Sequence, residues 1–362
     1  MHIQTRRRAK KRTPLRALAM TVASAVLAAG GIAGGAGAAV ADDTAVKVNI
    51  MLQGSTNGAL DLRNGDVSYY ENGWHDIDGT NVNNRRIAQA ELAPGTYTFA
   101  VSYNGTREQK TATVTRNGQY VYFQAANVKV DIRDSYGQPL EGAASYYAGS
   151  WHSIDNSKGV EMLAGTYSFA ATYNGTRQQV QYTVLPKNPN NKANAMQTVG
   201  FKTTRVGVVL QGQGGPSLSI PADGSASYYA GGWHEITTVN TNNRNTVVAE
   251  MLPGTYPFAA TYNGTRQQKN VTISGSGATV WFQLALVNTA LTVDGGDAVV
   301  PASSSYYATK WYNFGAEGTY MLPGTYSFAI VNDGARQQQS FTVLQPNSNN
   351  WANGKQTFTF VR

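Results

Sequence analysis

Hydrophobic and polar residues alternate along most of this chain. In the stretch GTYTFAVSY, Tyr97, Phe99, Val101 and Tyr103 share one parity, and Thr96, Thr98, Ala100 and Ser102 the other. A period of two marks an antiparallel strand with one face on a core and one in water. The stretch ends at Asn104-Gly105, after which the alternation restarts in TREQKTATV. Asn-Gly is the pair that a two-residue type I′ turn requires, because both central residues need positive φ. A β-hairpin is therefore predicted. Opening segments VKVNIML, VKVDI, VGVVL and VNTALTV and closing segments YVYFQ, TVGFK, TVWFQ and TFTFV add further short strands, and no helical period follows the first forty residues.

The same features return four times in one order. Each copy has a Tyr-Tyr pair, a Trp shortly after it, a Gly-Thr-Tyr turn into a strand, and a hairpin ending in Arg. The Trp residues are Trp74, Trp151, Trp233 and Trp311, the turn tyrosines Tyr97, Tyr167, Tyr256 and Tyr326, and the arginines Arg107, Arg177, Arg266 and Arg336. The arginines are spaced 70, 89 and 70 residues apart, so neighbouring spacings always total 159 and the true period is a pair of modules. Modules one and three are longer between Trp and turn (DGTNVNNRRIAQAEL, TTVNTNNRNTVVAEM), and modules two and four before the last strand (PKNPNNKANAMQ, QPNSNNWANGKQ). Duplication of one module, divergence of loops and duplication of the pair accounts for this, and it implies defined packing between unlike neighbours.

The predicted fold is all-β: four tandem small antiparallel β-sandwich modules, Ig-like or prealbumin-like, after a signal peptide. The boundaries are 1-41 for the leader and 45-124, 125-202, 203-283 and 284-362 for the repeats. The opening V-x-V strand, the Gly137-Gln138-Pro139-Leu140 loop and the E-x-L-P-G-T-Y-x-F strand resemble the prealbumin-like and carboxypeptidase-regulatory-like modules of bacterial surface proteins, including pilin-type Cna B repeats. That resemblance implies a secreted or surface protein. Cna B modules carry a Lys–Asn isopeptide bond promoted by a Glu after the turn. Lys47 and Lys129 lie in opening strands here, but no module has an acid in that later strand and modules three and four lack the Lys. No cross-link is expected.

Charge changes the picture once the leader is removed. The first residues form a basic head from Arg6 to Arg16, an Ala/Gly-rich stretch, and an A-x-A site at Ala39 and Ala41. Seven of the 29 basic residues lie there and no acid does, leaving 22 basic against 21 acidic side chains. A net charge near +1 gives no reason to invoke nucleic acid or anionic lipid. Thr5-Arg6-Arg7 leaves Sec and Tat export both open. Cysteine is absent, so packing must supply the stability that disulfides give many exported domains. No apolar run after the leader is long enough to span a membrane, and the chain ends TFTFVR inside its expected last strand, without a sorting motif.

Candidate chemistry sits at the repeated positions. His75, His152 and His234 each follow the repeat Trp. Two readings stand: a Trp-His ligand edge, or a Trp and a structural His on opposite sides of a strand. In module four Tyr312 replaces the His, and Tyr320 replaces the acid found as Glu91, Glu161 and Glu250. The coincidence suggests a His–Glu contact within each module. One His per module is too few for a metal, and no cofactor is expected. Asn104, Asn174 and Asn263 read as glycosylation sequons, but Asp333-Gly334-Ala335 keeps only the turn-competent pair, so turn geometry is the shared requirement.

No nucleophile–base order, H-E-x-x-H or phosphate-cradling loop occurs, and the chain is not expected to be an enzyme. The expected function is structural, a cell-surface or matrix spacer or adhesive. The alternative is a multivalent glycan-binding protein whose ligand positions are Tyr70, Trp74, His75 and Arg107; Tyr147, Trp151, His152 and Arg177; Tyr229, Trp233, His234 and Arg266; and Trp311 with Arg336. Its partners would be an extracellular glycan, a cell-wall polymer or other copies of the chain.

Overall fold

The computed structural model describes residues 44–362 apart from 63–66, 82–83, 221–223, 244 and 294–295. The expected signal peptide, 1-41, lies outside the described residues. In the first module the chain runs through β1 (Val46–Gln53), β2 (Val67–Tyr70), β3 (Trp74–Asp76), β4 (Thr80–Asn81), β5 (Asn84–Leu92), β6 (Gly95–Tyr103), β7 (Thr106–Val114) and β8 (Gln119–Gln124). These form two sheets, ordered β4-β5-β1-β8 and β3-β2-β6-β7. The next three modules repeat the arrangement, so the protein is a string of small β-sandwiches.

One pairing departs from a purely antiparallel sandwich. β1 and β8 run parallel, Val48 opposite Gln119 through Gln53 opposite Gln124. The corresponding first and last strands are parallel in the other modules as well. A parallel pair must be joined through the rest of the domain, and its two strands finish at the same end. The chain therefore leaves each module at the end opposite to its entry, where the next module begins.

The Asn-Gly hairpins take the expected backbone. Asn104 and Gly105 have φ of 49° and 75°, and Asn174-Gly175, Asn263-Gly264 and Asp333-Gly334 repeat these values within a few degrees. Across the hairpin the register is regular, from Tyr103 opposite Thr106 to Gly95 opposite Val114. The long Trp-to-turn segments of modules one and three are used to lengthen one strand, Asn84–Leu92 and Thr246–Met251, where modules two and four have only Val160–Met162 and Thr319–Met321.

Alternation places one parity of each strand inside. Phe99, Phe169, Phe258 and Phe328 are fully buried at equivalent positions, and each module has its own apolar core. The turn tyrosines close the sandwich: the hydroxyls of Tyr97, Tyr167, Tyr256 and Tyr326 donate to the carbonyl four residues earlier, at 2.9, 3.1, 3.0 and 2.9 Å. The cores are not self-contained, however. Leu163 of module two belongs to the core of module one, Leu252 of module three to that of module two, and Leu322 of module four to that of module three.

Phe258 fills the centre of the third core. Phe258→Ala should lower stability by about 3–5 kcal/mol through lost burial and an unfilled cavity, read as a lower urea midpoint.

Candidate functional site

The repeated residues gather in two places, the junctions between modules and the outer face of the β3-β2-β6-β7 sheet. At a junction the hairpin of one module meets the Tyr-Tyr pair and the Leu-x-Gly turn of the next. The hydroxyls of Tyr146, Tyr228 and Tyr306 donate to the carbonyls of Asn104, Asn174 and Asn263 at 2.7, 2.8 and 2.8 Å. Thr106, Thr176 and Thr265, all buried, donate to a carbonyl of their own hairpin and accept the backbone N–H of Leu163, Leu252 and Leu322 at 3.1, 3.0 and 3.0 Å. Each leucine thus enters the previous core with its own N–H satisfied, and burying it contributes about 1.5–3 kcal/mol.

The hairpin glycine is required twice over. Its φ is positive, and a ring of the next module lies on it: a Cβ on Gly105 would come within 3.0 Å of His152 Nε2, and Gly175 and Gly264 are covered in the same way by His234 and Tyr312. The rings that cover the glycines are stacked on the first Tyr of each pair, His152 on Tyr146, His234 on Tyr228 and Tyr312 on Tyr306, as His75 of module one is on Tyr69, at 5.0–5.4 Å. Nε2 of each His faces the carbonyl four residues earlier, at 2.9, 3.3 and 3.2 Å, an arrangement that needs the proton on Nε2.

The expected His–Glu contact is not what joins them. Glu161 accepts from Ser55 of module one, from N–H at 3.0 Å and Oγ at 2.5 Å. Glu250 accepts from Ser135 N–H at 3.2 Å and Oγ at 2.5 Å, and from Thr203 Oγ1 at 2.5 Å. At the third junction Gln213 stands in place of the serine, and Tyr320 packs on Gly212 where the others place a Glu. His and Glu change together in module four because both face module three, not because they touch.

On the outer face the structure brings together Tyr, Trp and Arg. The indoles of Trp74, Trp151, Trp233 and Trp311 are 38–44% exposed, with Tyr70, Tyr147, Tyr229 and Tyr307 edge-on to them at 5.5–5.6 Å. The guanidinium groups of Arg107, Arg177, Arg266 and Arg336 sit over the same rings, 4.5–4.8 Å from the centroids. His75, His152 and His234 lie on the other side of the strand, so the structure separates Trp from His. Ala100, Ala170, Ala259 and Ala329 point to this outer face yet are at most 2% exposed. The aromatic–Arg cluster is their roof.

Sequence reasoning missed the junction threonines, the inserted leucines and the serine partners of the acids. One signal was present. Module one has Ala93 where the others have the inserted leucine, and module four has Asp333 and Ala335 where the others have Asn and Thr. The deviations fall on faces that meet none of the other three modules.

The fold and junctions define a tandem β-sandwich repeat protein. No protein-family model matches the chain, and no curated protein sequence does. Among solved structures it is similar to the Bacillus anthracis TIE protein, at 12% identity over 82% of this chain and 68% of that one, with a TM-score of 0.20. A streptococcal ancillary pilin matches at 12% identity over 66% of this chain and 98% of that one (TM-score 0.21), and the Bacillus cereus major pilin subunit BcpA at 8% over 88% and 99% (TM-score 0.19). Among the described residues no helix is long and apolar enough to cross a membrane.

The junction bonds make two predictions. Thr176→Val leaves the buried Leu252 N–H without its acceptor, at a cost of about 1–3 kcal/mol, and amide hydrogen exchange at Leu252 should quicken. Burial, with Tyr173 and Tyr256 nearby, pushes the Tyr228 hydroxyl from 10.0 up to about 12. Below pH 10 folded and unfolded chains both keep this proton; between about 10 and about 12 the unfolded chain loses it first, so stability falls as pH rises. Tyr228→Phe should flatten that fall in urea midpoints followed from about pH 9 to about pH 12, while costing about 1 kcal/mol at neutral pH.

Proposed function

We propose that this chain is a secreted, non-catalytic cell-surface or matrix protein, a spacer or adhesive whose four modules, 45-124, 125-202, 203-283 and 284-362, are held against one another. The observation that carries this reading is the use made of the repeat motif. In Tyr-Asn-Gly-Thr the Asn carbonyl, the bare Gly and the Thr hydroxyl all serve the next module. A motif kept for catalysis would converge on a cleft within each module, whereas this one converges on the joint. The leader, residues 1-41, fits export.

The alternative, a multivalent glycan binder using Tyr, Trp and Arg, draws support from four exposed aromatic clusters. Against it, each indole already carries a guanidinium, so a sugar face must first displace a cation–π contact worth about 0.5–1 kcal/mol at an exposed site. The histidines are committed to Tyr stacking and do not face that surface. We therefore favour the structural reading.

Small-angle X-ray scattering of the chain from Asp42 onward tests it. One arrangement of the modules should fit the wild-type profile, and Gly175→Val, which drives a side chain into His234 and Ala230, should require a mixture of arrangements. A wild-type profile that already demands freely jointed modules would overturn the proposal.

A further inference from the structure

Modules one and three carry equivalent polar pairs in different chemical states. In each, the strand after the hairpin and the closing strand of the other sheet present a pair of polar side chains, Glu108 with Gln124 in module one and Gln267 with Gln283 in module three. The long loop of the following module lies beside them. In module three the pair is bridged by that loop: Gln267 donates to Gln345 Oε1 at 2.6 Å, and Gln345 Nε2 donates to Gln283 at 3.2 Å. The two loops share one internal bond, Asn188 N–H to Ala193 O at 2.9 Å and Asn347 N–H to Ala352 O at 2.8 Å. This register makes Pro186 the counterpart of Gln345. Proline has no side-chain donor or acceptor, and Glu108 Oε2 and Gln124 Oε1 are buried without a protein partner. They line a cleft of about 590 Å³ together with Lys110, Tyr122, Lys187 and the loop prolines.

The lining restricts what fits. The two oxygens need donors, which disfavours an anion without protons. Lys110 acts on the Glu108 carboxyl, and Lys187, which lines the same cleft near Glu161 and is 2% exposed, is fixed by donating to the Gly54 carbonyl. A cationic ligand is therefore disfavoured as well. Burial raises the Glu108 carboxyl above its usual range while Lys110 pulls it down, as expected of a carboxyl short of donors. A neutral group bearing neighbouring hydroxyls meets both acceptors. Tyr122 is exposed and stacked on Tyr120 at 5.5 Å, and with Pro186 and Pro189 it offers the apolar surface that suits the C–H face of a sugar ring.

We propose that the cleft between modules one and two binds a neutral polysaccharide, with paired hydroxyls on Glu108 and Gln124 and a ring face on Tyr122. This site is separate from the Tyr–Trp–Arg faces, and its existence does not depend on the spacer reading. Affinity electrophoresis of the chain from Asp42 onward, through gels holding soluble starch, hydroxyethyl cellulose, galactomannan, mannan, chitosan or alginate, tests it. At least one neutral polymer should retard the wild type. The double variant Glu108→Gln/Pro186→Gln copies the bridged pair of module three and should weaken that retardation about tenfold, the equivalent of roughly one hydrogen bond. Gln124→Leu, which removes one acceptor, should weaken it too, whereas Trp74→Ala should leave it unchanged. Retardation by the charged polymers alone, by none, or equally for wild type and both cleft variants would overturn the proposal.

Discussion

The structure depends on a two-residue turn that must remain bare. An Asn-Gly pair at positive φ reverses the chain without a side chain over the glycine, and the ring of the following module occupies that space. The same turn aims the Asn carbonyl and the Thr hydroxyl outward along the module axis. Buried polar groups need partners, and the next Tyr hydroxyl and Leu N–H supply them. One local conformational choice therefore sets hairpin register, module spacing and the composition of the joint. The parallel pairing of first and last strands makes this possible, because it delivers the chain to the end where the hairpin turns.

The joints are alike in this core and unlike around it. The first and second add a serine–carboxylate contact, Ser55 with Glu161 and Ser135 with Glu250. The third substitutes packing of Tyr320 on Gly212. A second difference follows the pairwise period. The long loops of modules two and four reach back onto modules one and three, through Lys187 to Gly54 and through Gln345 to Gln267 and Gln283. Module three has only a short connection there. Its joint with module two is instead fastened by Arg205 against Tyr136. The repeat unit is therefore a clamped pair, and two clamped pairs meet at a joint built from hairpin, carboxylate and one arginine.

Most of the fold was legible because it rests on local periodicities. Alternation located the strands and Asn-Gly the hairpins, and internal repetition showed that both recur in one order. The parallel β1–β8 pairing was not legible, since a period of two is the same in either direction. Partners across a joint were hidden for a related reason. Ser55 and Glu161 are 106 residues apart, and nothing in either segment names the other. The paired change at Tyr312 and Tyr320 was visible, but sequence alone could not distinguish two residues in contact from two residues facing a common neighbour. The Trp and His positions show the opposite case. They are adjacent in sequence and so on opposite sides of a strand, which the alternation rule already implied.

The exposed tryptophans acquire a physical role without any ligand. A module of about 80 residues hides a smaller share of its surface than a larger domain, and no disulfide compensates here. Tyr, Trp and Arg laid across the outer sheet face bury a row of alanines that would otherwise meet water, adding a thin second apolar layer to a sandwich that has only one core. The long arginine stem covers apolar surface while its head stays solvated. Small alanines are what permit the roof to lie close, and their equivalents in all four modules are buried to the same degree. Repetition of Trp and Arg is thus explained by the requirements of a small disulfide-free module, while the unbridged acceptors at Glu108 and Gln124, which occur in one pair and are filled in the other, are not explained by stability at all.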